Sequence, residues 1–104
     1  MSTDSHSAPP PLDSATAVRV PENVVFRSFA QETVVLNLQT GTYHGLNATA
    51  GRMLEALQRH PVIAEAASIV AAEYGQDPTT VEADLRELCE GLLARGLLAV
   101  QPSE

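Results

Sequence analysis

The chain contains no lysine and no tryptophan, and its 104 residues include a single cysteine, Cys89. All six basic residues are arginines, and thirteen aspartates and glutamates bring the formal net charge to −7. Nucleic-acid binding needs clustered basic side chains that neutralise phosphates, so this composition argues against it. An acidic chain of this kind suits a partner that is basic or apolar.

A lone cysteine cannot form an intramolecular disulfide, as is usual in a reducing compartment. The N-terminus lacks the basic and apolar regions of a signal peptide, and no apolar run approaches the ~20 residues that span a bilayer. We therefore expect a cytoplasmic protein. With 44% hydrophobic residues, the length supports one domain with one modest core.

The N-terminal segment is rich in serine, threonine, alanine and proline, including three prolines at residues 9–11. Such a composition offers little apolar surface to bury, and short proline runs usually form stiff linkers. The sequence therefore predicts a disordered tail over residues 1–17 and a folded domain over residues 18–101.

Three short strands are predicted in the first half of the domain. Residues 24–29 and 33–38 are rich in β-branched and apolar side chains, and residues 43–46 return after a turn at residues 39–41. Sequential strands with short links form an antiparallel meander. So small a sheet needs helices on one face to bury its apolar side chains.

The first of three predicted helices covers residues 48–59. Asn47 is placed to accept a hydrogen bond from the first turn, and Pro61 disfavours helical geometry in the residue before it. Gly51 inside this helix costs about 1 kcal/mol relative to alanine. We therefore expect a close backbone contact at Gly51.

The second helix is predicted over residues 62–74, where Gly75 can end it. The third begins at Asp77 and Pro78, a strong start signal, and stops before Gly96. The apolar residues that follow Gly96 indicate a short C-terminal strand. These elements predict an α+β fold that is winged helix-turn-helix-like, with a three-stranded antiparallel sheet packed on three helices.

The side chains that could carry catalysis are scattered along the sequence. His6, His44 and His60 show no metal-ligand spacing with Cys89. Cys89 lies among helical apolar positions and has no recognisable basic partner, as expected of a small core or groove residue. We predict no enzymatic activity, no cofactor and no metal site.

Several motifs resemble the PqqD-like family, over about residues 20–100. The most specific is the pairing of a Thr-Gly-x-Tyr hairpin with a Leu-Asn-x-Thr helix start, whereas the helical leucines are generic. The matching positions are Leu36, Leu38, Thr40, Gly41, Tyr43, Leu46, Asn47, Thr49, Met53, Leu54, Ala72, Tyr74, Asp77, Val81, Asp84, Leu85, Gly96, Leu97 and Leu98.

Members of this family are recognition elements of pathways that make ribosomally synthesised, modified peptides. The resemblance implies that the leader region of a precursor peptide docks as an added strand between the third strand and the third helix. Quinone-pathway members usually carry an acidic residue, glycine and methionine around the turn, and residues 39–42 differ from that pattern. The chain looks more like the stand-alone elements of lasso-peptide clusters, which imply a separate transglutaminase-like leader peptidase and a cyclase as candidate partners.

The leading hypothesis is therefore a non-enzymatic module that binds a leader peptide and delivers it to a partner enzyme. A pyrroloquinoline-quinone-type peptide chaperone and an acidic winged-helix regulatory or dimerisation domain stay open as alternatives. Periodicity does not decide whether Leu85 and Leu88 line the groove or the core. The candidate peptide-binding residues are Thr42, Tyr43, His44, Gly45, Val81, Asp84, Leu85, Leu88 and Cys89.

The hairpin turn allows a prediction of strand register. If residues 38–41 form a type I turn with a bulge at the last residue, then Leu36 pairs with His44. Alternating hydrogen bonds would then leave the amides of Tyr43 and Gly45 free on the outer edge. A bound strand would pair with those two residues.

Overall fold

A computed structural model describes residues 12–101. The predictions for His6 and for the prolines at residues 9–11 lie outside the described residues. The elements, in chain order, are β1 (Val18–Arg19), β2 (Val24–Ser28), β3 (Glu32–Asn37), β4 (Tyr43–Asn47), α1 (Ala48–Arg59), α2 (Ile63–Tyr74), α3 (Pro78–Ala94) and β5 (Ala99–Val100).

The predicted fold class is confirmed. Strands β2, β3 and β4 form an antiparallel sheet in that order, and the helices cover one of its faces. In β3, alternate residues Thr33, Val35 and Asn37 are buried, while Val34 and Leu36 between them are only half-buried. Because side chains alternate across a strand, the first set faces the helices and the second set faces away from them.

The helix boundaries follow the capping residues in the sequence. Asn47 Oδ1 accepts a hydrogen bond from the amide of Ala50 at 2.8 Å, which starts α1. Asp77 Oδ1 accepts one from Thr79 at 3.0 Å, which starts α3. Gly75 adopts the left-handed conformation, φ +64°, and ends α2.

A two-stranded pair that the sequence did not reveal joins the two ends of the domain. Val18 of β1 pairs with Val100 of β5, and Arg19 pairs with Ala99. The predicted C-terminal strand exists, but only its last two residues pair, and Leu98 before them is buried in the core. A strand of two residues is too short to produce a detectable hydrophobic period.

The structure corrects the predicted end of the tail at residue 17. Leu12 is only 8% exposed and belongs to the hydrophobic core. Ala17 forms an isolated antiparallel bridge with Val62. The segment over residues 12–17 therefore packs on the domain, because one leucine among its small polar residues supplies an apolar anchor.

This segment also caps α2. Val62, the N-cap residue of α2, provides no side-chain cap. Instead, Ile63 donates its amide to the carbonyl of Thr16, and Ala64 donates to the carbonyl of Ser14, both at 3.0 Å. Backbone carbonyls thus satisfy two of the amides that the first turn of a helix leaves unpaired.

We expect Leu12→Ala to lower the free energy of unfolding by about 2 kcal/mol, because it removes a buried leucine. Leu38→Ala is the matched control, since Leu38 is 58% exposed and its truncation removes little buried surface. Urea denaturation followed by circular dichroism measures both variants. If Leu12→Ala lowers the free energy of unfolding no more than Leu38→Ala does, Leu12 does not stabilise the core.

Gly51 lies where α1 crosses β3. A Cβ atom at this position would overlap Thr33 Oγ1 and lie 2.8 Å from Thr33 Cβ. Thr33 is itself buried, at 3% exposed, so it has little room to move. The close backbone contact predicted from this glycine is confirmed, and it sets the distance between the helix and the sheet.

Gly51→Ala should therefore lower the free energy of unfolding by about 1–3 kcal/mol through overpacking. Gly91→Ala in α3 should have the opposite effect and raise it by about 1 kcal/mol through helix propensity. A Cβ at Gly91 would meet only the flexible end of Arg95, at 3.4 Å. Thermal and urea melts of the two variants test this prediction. A change of the same sign in the free energy of unfolding of both variants would refute the steric argument.

Candidate functional site

Among residues 12–101, strand β4 lies at the edge of the sheet and pairs with β3 on one side only. Leu36 pairs with Tyr43, and Val35 pairs with His44. The predicted pairing of Leu36 with His44 is therefore wrong by one residue.

The register follows from the side chain of Asn37. Its Oδ1 accepts hydrogen bonds from the amides of Gln39 at 2.9 Å and Thr40 at 3.3 Å. Gly41, at φ +78°, donates its amide to the carbonyl of Asn37 at 2.8 Å. These bonds hold residues 38–41 as a loop, so the ladder ends at Asn37 rather than at Leu38.

The unbonded edge of β4 is nevertheless the one that the sequence predicted. Asn37 donates its amide to the carbonyl of Thr42 at 2.9 Å, so Thr42 and every second residue after it bond toward β3. Tyr43 and Gly45 therefore direct their amides and carbonyls away from the sheet. The register error changes the partners on β3 without changing which β4 residues bond to them.

A groove of about 410 Å³ separates β4 from α3. Three consecutive β4 residues line one side. The residues on the other side, from α3 and its C-cap Arg95, follow the i, i+3, i+4 pattern of one helix face. We call these α3 residues the groove face. The lining consists of His44, Gly45 and Leu46 from β4 and of Asp84, Glu87, Leu88, Gly91, Leu92 and Arg95 from the groove face.

Three predicted binding residues do not reach this groove. Val81 is 3% exposed, and Leu85 and Cys89 are 0% exposed, so all three belong to the hydrophobic core. They recur at intervals of four residues and form a separate face of α3. Leu88 is half-buried and lines the groove. Of the two leucines that periodicity could not assign, Leu85 therefore lies in the core and Leu88 in the groove.

Cys89 is also unsuited to nucleophilic chemistry. Burial raises the pKa of its thiol to about 12, with a smaller contribution from the charge of Glu90. At neutral pH the side chain is a protonated thiol, and the thiolate is the reactive form. Its role in the structure is to fill space in the core.

The side chains of Thr42 and Tyr43 also point away from the groove. Thr42 Oγ1 lies 2.7 Å from Thr40 Oγ1, within the turn. Tyr43 is 70% exposed and shares a face of the sheet with its partner Leu36. Tyr43 can therefore contribute to the groove only through its backbone.

The sheet face opposite the helices carries apolar side chains. Val25, Leu36 and Tyr43 lie in register across the three strands, and Leu38 follows two residues after Leu36. Val25 is 41% exposed and Leu38 is 58% exposed. We call these four residues the outer patch; exposed apolar patches commonly mark interaction sites.

Sequence reasoning missed several groove residues, namely Leu46, Glu87, Gly91, Leu92 and Arg95. Continuing the helical spacing from Asp84 and Leu88 would have found those on α3. Within residues 12–101, no cluster of three His, Cys, Asp or Glu side chains could hold a metal ion. No helix in the same range is long and apolar enough to cross a membrane.

Two kinds of comparison place the chain among known proteins. A family model described as Coenzyme PQQ synthesis protein D (PqqD) matches residues 32–98. No curated protein matches the chain significantly.

Two solved structures share the fold. TbiB1 in complex with the TbiA(beta) leader peptide is 34% identical, with a TM-score of 0.70 over 83% of this chain and 98% of that chain. Lasso peptide synthetase B1 complexed with the leader peptide is 24% identical, with a TM-score of 0.69 over 83% and 99%. The matched region contains both the β4 hairpin and α3, and the resemblance seen in the sequence is confirmed: the chain belongs to the PqqD family.

Proposed function

We propose that this chain binds the leader region of a ribosomally synthesised precursor peptide and delivers it to a partner peptidase. The pathway that we propose is lasso-peptide biosynthesis. The observation that carries the proposal is the unpaired edge of β4 beside the groove. TbiB1, which is 34% identical, is known in complex with a leader peptide, and this supports the same class of ligand here.

Binding would occur by addition of a strand to β4. The free amides and carbonyls of Tyr43 and Gly45 supply main-chain hydrogen bonds, which depend little on the sequence of the peptide. Every second side chain of the added strand would enter the groove and contact Leu46 or Leu88. The domain itself then acts only through binding and positioning.

Delivery would use the opposite face of the sheet. A strand added to β4 extends the sheet, so its remaining side chains would lie beside Tyr43 and continue the outer patch. A partner enzyme that packs on this surface would contact the domain and the peptide together. Its affinity would then be higher for the loaded domain than for the empty one.

A second candidate function is a peptide chaperone in the synthesis of coenzyme PQQ, which the description of the family model favours. It would use the same groove for a different precursor. The turn at residues 39–42 supports the lasso-type pathway instead. Titration with both kinds of precursor peptide distinguishes the two candidates, since only the correct leader should bind tightly.

Strand addition predicts that the outward amide of Gly45 matters. Gly45→Pro removes this amide without breaking a bond to β3, and an edge strand tolerates such a proline. The affinity for a lasso-type leader peptide that binds the wild-type chain should fall about fivefold to tenfold, since one hydrogen bond contributes about 1 kcal/mol. Isothermal titration calorimetry measures the change.

Gly45→Ala is the matched control, because it keeps the amide and its Cβ would meet only the end of the Glu32 side chain, at 3.3 Å. Hydrogen exchange gives a second measurement: addition of leader should slow exchange at Tyr43 and Gly45 more than at His44. Equal affinity for both Gly45 variants, together with unchanged exchange along β4, would refute strand addition.

The delivery step predicts that the outer patch affects peptide cleavage and leaves peptide binding unchanged. The double variant Val25→Thr, Leu38→Thr removes exposed apolar surface from the outer patch at positions outside β4, which an added strand would not adjoin. We expect leader affinity within about twofold of the wild type, and cleavage by the partner peptidase at least about tenfold slower.

Tyr74→Thr is the control for this variant, because Tyr74 is a large side chain, 43% exposed, on α2 and outside the outer patch. Calorimetry and a leader-cleavage assay are run on both proteins. Unchanged cleavage in the double variant would show that the peptidase docks elsewhere. Loss of leader affinity would instead place the outer patch within the peptide site.

A further inference from the structure

The groove face of α3 carries opposite charges at its two ends. Asp84 and Glu87 lie at one end and Arg95 lies at the other, with Gly91 between them. The ion pairs found within residues 12–101 involve only Arg52 and its neighbours on α1 and α2. No ion pair between residues 12–101 therefore occupies the charged groups at either end of the groove.

Gly91 leaves space on the groove face that the Arg95 guanidinium enters, 3.4 Å from where a Cβ at Gly91 would lie. Glycine is disfavoured inside a helix, and no tight contact requires it here, unlike at Gly51. The Arg95 guanidinium folds back along the helix and donates to the carbonyl of Gly91 at 3.3 Å. Leu88, half-buried on the same face, gives the middle of the groove an apolar wall.

The length of the groove face fits a short extended segment. From Asp84 to Arg95 the helix rises about 16 Å, at 1.5 Å per residue. Side chains on one face of a strand are about 6.7 Å apart, so three of them, within five residues, cover about 13 Å. This is close to the ~14 Å that the helix rises from the midpoint of Asp84 and Glu87 to Arg95. The acidic, apolar and basic zones of the groove face can therefore meet three successive inward side chains.

We propose that the groove selects extended peptides by a charge order: a basic side chain against Asp84 and Glu87, a bulky apolar side chain against Leu88, and an acidic side chain against Arg95. These three side chains occupy every second position of the peptide. The inference rests on the proposed peptide binding and adds the chemistry of the ligand. Complementary charges at both ends also allow only one direction of the bound strand.

The test is a selection from a display library of random short peptides, followed by sequencing of the enriched peptides. The wild-type chain should enrich basic, apolar and acidic residues at positions i, i+2 and i+4, in one of the two possible orders throughout. The variant Asp84→Arg, Glu87→Arg, Arg95→Glu should enrich the same apolar position with the two charges exchanged. A synthetic peptide from the wild-type selection should bind this variant at least about tenfold more weakly.

A control variant, Glu65→Arg, Glu90→Arg, Arg27→Glu, changes the net charge equally but outside the groove lining, and it should enrich the wild-type pattern. Circular dichroism melts verify that both variants fold. If one of them does not fold, the selection with the wild-type chain still tests the charge order. Enriched strand-forming peptides without a fixed charge order would overturn the charge rule and leave strand addition intact. Failure to enrich any peptide would overturn the proposed function and the charge rule together.

Discussion

The direct junction between β4 and α1 is the constraint on which the rest of the structure depends. Asn47 is at once the last residue of β4 and the N-cap of α1, and its side chain bonds the amide of Ala50. With no linker between strand and helix, the edge of β4 has a fixed position relative to the helical layer. The contact between Gly51 and Thr33, one turn into α1, then fixes the separation of the two layers. The groove beside β4 is a consequence of these two contacts.

Helix α3 serves the core and the groove with adjacent faces. Leu85 and Cys89 anchor it in the core, while Asp84 and Leu88, one residue earlier in each case, line the groove. A rotation of the helix by one residue, about 100° at 3.6 residues per turn, would exchange the two sets. Substitutions of the core residues Leu85 and Cys89 therefore affect the site indirectly, through the orientation of α3. Substitutions of exposed groove residues such as Asp84 change the chemistry of the site with little effect on stability.

Local signals predicted the helices well and the strand pairing less well. Asn47, Gly75 and Asp77 act through hydrogen bonds to residues within one turn, so their effect is visible in the sequence. The register of β4 depends on the side chain of Asn37. It accepts hydrogen bonds from the amides of the following loop, so the type I turn expected at residues 38–41 does not set the register. Leu12 was missed because a single leucine among polar residues has no periodicity, and its burial depends on a surface formed by distant parts of the chain.

An open strand edge next to apolar side chains carries a risk of pairing between copies of the same protein. Here the edge of β4 lies opposite the carboxylates of Asp84 and Glu87, on a chain of net charge −7. Repulsion between two such chains opposes their close approach, while it favours the approach of a basic segment. High salt weakens both effects, because exposed charges are screened over about 10 Å at 0.1 M ionic strength. The acidic composition seen in the sequence can thus keep the edge unpaired between copies and still admit a peptide whose charges complement the groove.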